Sequence, residues 1–241
     1  MFGKTMVVVS DAHVRGEVGD ETESFLAFLE QVPALGDCLL INGDLFEFWF
    51  SYRRAIPQRG FLVAAAIAML ARKIPVAMTG GNHDRWGHDF WRQQANILYS
   101  PDELRLEVGS RVVVAAHGDR LPSETRSASI THAVISHPAT ARVFGLIHPD
   151  WGLGLVKRFG PQLADNTTDP AVLQQAQIRQ TEWARRRLVR DPTIGLILLS
   201  HTHRAAVEEL EPGRLILNPG AWLKERSFAI VTERTQELRH G

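Results

Sequence analysis

Residues 75–84 read PVAMTGGNHD, a proline and four strand-forming residues followed by two glycines and then asparagine, histidine and aspartate. Pro75–Thr79 is short, apolar and bounded by turn-formers, the pattern of a buried strand. Gly80 and Gly81 let the backbone turn sharply where it ends. The polar triplet is thus delivered to a loop just beyond a strand. The same grammar recurs outward in both directions. Thr5–Ser10 is a β-branched run ending in Asp11 and His13, and Cys38–Asn42 is an apolar run ending in Gly43-Asp44. Leu104–Val108 and Arg111–Ala116 flank Gly109-Ser110 as a hairpin and end in His117-Gly118-Asp119. Ile194–Leu199 runs into Ser200-His201-Thr202-His203.

Between these strands, Glu21–Val32 and Gly60–Lys73 have helical periodicity, so the first half alternates strand and helix. That alternation predicts an α/β fold with parallel strands. Residues 120–190 read as mostly helical without a strand. Ala205–Leu210, Leu215–Leu217 and Phe228–Thr232 then follow, separated by the turns EPGR and NPGAW. In open α/β sheets, sites form beyond the carboxyl ends of strands. Here five such ends each carry Asp, Asn or His.

The residue types point to metal. Asp11 and His13 are two apart, as are His201 and His203, so each pair points to one side of an extended segment. Asp44, Asn82, His83 and His117 complete the set. Oxygen and imidazole donors without thiolates suit Mn²⁺, Fe or Zn²⁺ better than Mg²⁺. Eight candidate side chains exceed one tetrahedral site. They fit two octahedral-like sites that share a bridging carboxylate and keep positions open for water and phosphate.

Composition narrows the classes. The chain has 241 residues, 44% hydrophobic and 22% charged, with zero net charge. It is long enough for one large core and contains no repeat or low-complexity tract. The apolar run near the N-terminus is too short for a signal-peptide core, and Phe61–Ala71 is too short to span a bilayer. These readings predict a cytoplasmic protein that does not cross the membrane. The one cysteine, Cys38, is expected to be core packing. Charge is uneven: residues 120–190 hold ten Lys/Arg against five Asp/Glu. That segment is a candidate surface for an anionic partner.

The blocks DAH, GD, GNHD, HGD and SHTH, in that order, resemble the calcineurin-like metallophosphoesterase superfamily, and NPG at 218–220 matches its closing turn. The resemblance implies a four-layer α-β-β-α sandwich, one domain over 1–241, with 120–190 as a helical insert or cap. It implies that Asp11, His13, Asp44 and His203 hold one metal. Asp44, Asn82, His117 and His201 would hold the second, with Asp44 bridging. His83 would face the phosphate and protonate the leaving group or stabilise charge, with Asp84 orienting its ring. Two cations bridged by a hydroxide would aim that nucleophile at phosphorus. Ser200 departs from the family's usual glycine.

Beyond the ligand blocks, GDLFEFWF (43–50), YRRAIP (52–57) and HPDWG (148–152) resemble the UDP-2,3-diacylglucosamine diphosphatases, in the branch with histidine in GNHD. That resemblance implies hydrolysis of UDP-2,3-diacylglucosamine to lipid X and UMP, in the lipid A pathway, with two divalent ions, expected to be Mn²⁺. In the insert, Leu153, Leu155, Val156 and Phe159 lie beside Lys157 and Arg158, and Val143, Phe144, Leu146 and Ile147 beside Arg142. Interleaved apolar and basic residues suit peripheral contact with the inner membrane. Arg126, Arg142 and Arg158 are the candidate substrate-binding residues, and Trp49 and Trp151 candidate groove linings. Rival readings are a broad phosphodiesterase or phosphatase on soluble nucleotides and, less favoured by neutral charge and the lack of a basic stacking platform, a nuclease. No nucleic-acid partner is expected.

Overall fold

The computed structural model describes residues 1–17, 19–87, 89–121, 137–163 and 170–241. Eleven strands form two sheets among them. In the first sheet the order is β11 (Gln236–His240), β10 (Ser227–Thr232), β1 (Thr5–Val9), β2 (Cys38–Asn42), β3 (Val76–Thr79), β4 (Leu98–Ser100). From β1 to β4 every pairing is parallel, while β10 runs antiparallel to both β1 and β11. In the second sheet the order is β5 (Glu103–Val108), β6 (Arg111–Ala116), β7 (Ile194–Leu198), β9 (Arg214–Asn218), β8 (Ala206–Glu211). Here β6, β7 and β9 are parallel, and the two edge strands are antiparallel to their neighbours.

Strand alternation sorts side chains into three cores, and those cores define the layers. Met6 and Val8 of β1, with Cys38 and Leu40 of β2, point between the sheets, where they meet Val113, Ala115, Leu196, Leu198, Leu215 and Leu217. The residues between them in sequence, Val7, Val9, Leu39 and Ile41, point outward onto α1 (Asp20–Leu35) and α2 (Phe61–Leu70) through Phe25, Phe28, Val63 and Ile67. On the second sheet Val114, Ile197 and Ile216 point outward onto Ala184 and Leu188 of α6 (Pro170–Arg190). The result is helix, sheet, sheet, helix: the four-layer sandwich. Strands buried on both faces have to be continuously apolar, which is why TMVVV, CLLIN and RLILN carry so little polar sequence. By contrast β5 (ELRLEV) alternates buried and exposed residues and β8 (AVEELE) half-buried and exposed ones, as edge strands do.

The hairpin turns at Gly109-Ser110, with Val108 paired to Arg111 and Gly109 at φ 58°. Cys38 is fully buried between the sheets, where burial and the neighbouring Asp37 charge push its thiol pKa up. In the segment between β6 and β7 the described residues are helical: α4 (Pro138–Phe144), α5 (Pro149–Leu163) and α6. Two short helices, α3 (Phe90–Gln93) and α7 (Trp222–Glu225), complete the described elements.

Candidate metal centre

The backbone adopts unusual conformations at the strand ends. Asp11, His13, Asp44, His201 and His203 all have positive φ, between 45° and 70°. They are five of the seven non-glycine residues with positive φ among the described residues. Such a conformation costs about 1–3 kcal/mol per residue and persists only where surroundings over-determine it. The surroundings here are extended sheet pairings. Asp11 donates its N–H to Gly43 O (3.1 Å), His13 to Asp44 O (3.0 Å), Val14 to Leu45 O (2.9 Å) and Ser200 to His117 O (2.9 Å). Two glycines make room. A Cβ on Gly43 would lie 2.5 Å from His117 Nδ1, and one on Gly81 would lie 2.1 Å from Asp44 Oδ1.

Those backbones bring side chains from five strand ends together. Asp11 Oδ1 lies 3.2 Å from His203 Nε2, and His117 Nε2 lies 3.1 Å from Asp44 Oδ2 and 4.0 Å from Asp11 Oδ1. His13 Nε2 is 3.4 Å from His203 Nε2 and 3.8 Å from Asp44 Oδ2. Donor atoms of Asp11, His13 and His203 fall within 4.8 Å of one another, as do those of Asp44, His117 and His201, and of His13, Asp44 and His83. Three buried polar atoms in this cluster, Asp11 Oδ1, Asn82 Oδ1 and His117 Nε2, have no hydrogen-bond partner. A buried polar atom without a partner is costly unless something else satisfies it. Orphaned oxygens and an imidazole nitrogen, with no thiolate among them, fit divalent cations.

The far sides of the rings are anchored. His117 Nδ1–H donates to Asn42 O (3.0 Å), and His83 Nδ1–H donates to Glu47 O (2.7 Å). Fixing Nδ1 in this way sets the tautomer that leaves Nε2 as the donor atom. Ser200 has its own partners: its hydroxyl accepts from Asn42 Nδ2 (2.7 Å), and its carbonyl from Gln180 Nε2 of α6 (2.9 Å). The serine therefore ties the SHTH loop to the end of β2, a bond glycine could not make.

Electrostatics follow from two buried carboxylates side by side. For Asp44, burial pushes the pKa up, but the charges of His117, His83 and His13 outweigh it and the carboxyl sits well below its ordinary value. His117 shows the converse: burial pushes it down, while Asp44 and Asp11 pull it well above. Buried anions of this kind require compensating positive charge, whether from protons or from cations. Asp84 differs, because burial and the nearby Asp44 raise it to about 6.

Asp84 does not face the His83 ring. Its carboxylate accepts N–H bonds from Leu45 (2.7 Å), Gly81 (2.9 Å) and Asp44 (3.3 Å), so it braces the GD and GNHD turns instead. The ring partner of His83 is the Glu47 carbonyl. Trp49 is likewise not a groove lining. It is fully buried against Phe46, Phe90 and Trp91. Trp151 is 76% exposed on α5. Arg142 and Arg158 are exposed on α4 and α5, and Arg126 lies outside the described residues. Phe144 of α4 packs on Phe48, Phe50, Tyr52 and Trp86, which seats the insert on the GDLFEFWF block.

Three residues around the centre carry roles that sequence reading passed over: Asn42, Glu47 and Gln180. Glu47 had a signal, as the one charged residue between Asp44 and Arg53 in an aromatic run. Asn42 and Gln180 had none.

A strand-end cluster of Asp and His with orphaned ligand atoms could hold divalent metal ions. The sequence model of the family described as calcineurin-like phosphoesterase matches residues 4–205, and the chain belongs to that family. It is thus a metallophosphoesterase, a hydrolase of a class that works with divalent metal ions. Among curated proteins it is similar to a UDP-2,3-diacylglucosamine hydrolase of Porphyromonas gingivalis, 24% identical over 85% of this chain and 83% of that protein. It is also similar to one of Klebsiella pneumoniae, 29% identical over 96% of this chain and 97% of that protein. Among solved structures it matches Vacuolar Protein Sorting 29 of Cryptosporidium parvum at 15% identity and TM-score 0.47, over 100% of this chain and 98% of that one.

Proposed function

We propose that this chain hydrolyses the diphosphate of UDP-2,3-diacylglucosamine, giving UMP and the acylated sugar phosphate lipid X. The observation that carries the substrate is the likeness, over nearly the whole length, to relatives that bear that enzyme's name. In this reading Asp11, His13, Asp44 and His203 hold one metal, and Asp44, Asn82, His117 and His201 the other, with Asp44 common to both. Mn²⁺ suits the donor set, as do Fe and Zn²⁺. When bound, such a pair would supply Lewis acidity, lowering the pKa of water and neutralising phosphate charge.

The chain's own residues do the rest. His83 presents Nε2 to the reacting phosphate while the Glu47 carbonyl holds its ring. The departing group is itself a phosphate with a pKa near about 6, so it needs little protonation. His83 therefore acts mainly by stabilising charge as the bond breaks. Asp84 keeps the GD and GNHD turns in register. We further propose that the chain works as one domain over 1–241, with 120–190 as its cap. Support for a lipid substrate comes from the insert, which exposes Val143, Leu146, Trp151 and Leu155 beside the exposed Arg142 and Arg158. This arrangement suits acyl chains, a diphosphate and contact with an anionic inner-membrane surface. Among the described residues no helix is long and apolar enough to cross a membrane.

The test is to assay UMP release by the purified protein with Mn²⁺, comparing UDP-2,3-diacylglucosamine with the same UDP-sugar lacking both acyl chains. A strong preference for the acylated substrate is expected. Equal turnover of the two, or cleavage of small phosphodiesters alone, would remove the lipid substrate and leave the metallophosphoesterase.

A further inference from the structure

Glu47 touches two of the clustered histidines with different parts of itself. Its backbone carbonyl accepts the His83 Nδ1–H bond at 2.7 Å, and its carboxylate Oε2 lies 3.6 Å from His13 Nδ1. The opposite nitrogen of His13, Nε2, points into the cluster, 3.4 Å from His203 Nε2 and 3.8 Å from Asp44 Oδ2. His13 is buried, whereas the Glu47 side chain is about half exposed, at 52%. The carboxylate therefore reaches in from the rim to the outer nitrogen of a ring whose inner nitrogen faces the other ligands. Two neighbours fix its place. Glu47 N–H donates to Val14 O (3.2 Å), Val14 bridges Phe46, and Phe46 is fully buried in the helix-side core. The side chain is thus anchored at its root and solvated at its tip, an arrangement that packing alone does not require.

We propose that Glu47 is a positioning residue for the metal centre, its carboxylate holding His13 in the orientation and tautomer that present Nε2 to a cation. This rests on the metal assignment under Proposed function. A carboxylate on the outer nitrogen of a ligating histidine fixes the ring and raises its basicity, and losing one typically weakens metal binding about 10–100-fold. The effect falls on one site only. His117, assigned to the other, has its Nδ1 held instead by the Asn42 carbonyl. The Glu47 carbonyl belongs to the main chain, so a side-chain substitution leaves the His83 anchor in place.

Titration of the metal-free protein with Mn²⁺, followed by calorimetry and by bound-metal analysis, tests the assignment in wild type, Glu47→Ala and Glu47→Gln. In Glu47→Ala one of two Mn²⁺ equivalents should weaken about 10-fold or more while the other keeps its affinity. Glu47→Gln keeps the shape and a polar oxygen, so it should recover part of that loss. Thermal melting of all three metal-free proteins should coincide. A wild-type isotherm in Glu47→Ala, or equal weakening of both equivalents, would overturn the proposal. Absence of Mn²⁺ binding by the wild type would instead overturn the metal assignment on which it rests.

Discussion

His83 lies in one cluster with the histidines proposed as ligands, its ring centroid 4.7 Å from that of His13. His83 is tied to a main-chain carbonyl on the rim, and its own N–H donates to Asp44 Oδ1 at 2.9 Å. Replacing its side chain removes the imidazole that the proposed mechanism aims at the phosphate but leaves that backbone bond intact. His83→Ala should therefore lower kcat by about 100-fold or more while leaving Mn²⁺ affinity little changed. Single-turnover kinetics beside a metal titration check this, and a parallel loss of both would place His83 among the ligands. The eight clustered residues were legible in the sequence because their chemistry restricts them to Asp, Asn and His directly after strands. The direction of Asp84 was not. Adjacency in the chain suggested that it served His83, but the turn sends the two side chains apart, and three N–H groups capture the carboxylate.

Asp37 shows how the elements that carry the site are joined. Between α1 and β2, it accepts N–H bonds from Lys4 (2.9 Å) and Thr5 (2.9 Å), pinning the start of β1 to the start of β2. Partial burial pushes its pKa up, but the Thr5 and Lys4 donors outweigh it, and the carboxyl titrates below its ordinary value. With a depressed folded pKa, its stabilisation is present above the unfolded value of about 4 and disappears as pH falls through the folded pKa. Asp37→Asn should therefore be less stable than wild type at pH 7, by at most about 1 kcal/mol after solvent screening. The gap should close as pH falls below about 4, and urea melts at several pH values read it. A gap that widens in acid would contradict the assigned role.

Element positions were legible where burial forces an apolar run: Cys38–Asn42 and the 103–116 hairpin read almost residue for residue. β4 and β11 did not read. The first is three residues long, and the second, QELRH, is a polar edge strand held mainly by its ladder with β10. In GDLFEFWF, Trp49 was a candidate groove lining, but the fold buries it with Leu45, Phe46 and Phe50 as core and turns Glu47 outward.

At the scale of the molecule, the two sheets stack so that the parallel strands β1, β2 and β3 of one, and β6 and β7 of the other, end on a common rim. α6, which covers the second sheet through Ala184 and Leu188, also reaches the rim by Gln180, so the insert braces the SHTH loop. The layer order could be expected from sequence only through family resemblance, since strand alternation does not say which faces meet. The proposed centre holds two metals with Asp44 shared by both ions. Its most direct test is the Mn²⁺ stoichiometry of wild-type protein against Asp44→Asn, with circular dichroism to confirm that both are folded. Two equivalents in the wild type, and fewer than one at the same free Mn²⁺ in the variant, are the expected result. Two equivalents retained by the folded variant would contradict the shared carboxylate and the mechanism built on it.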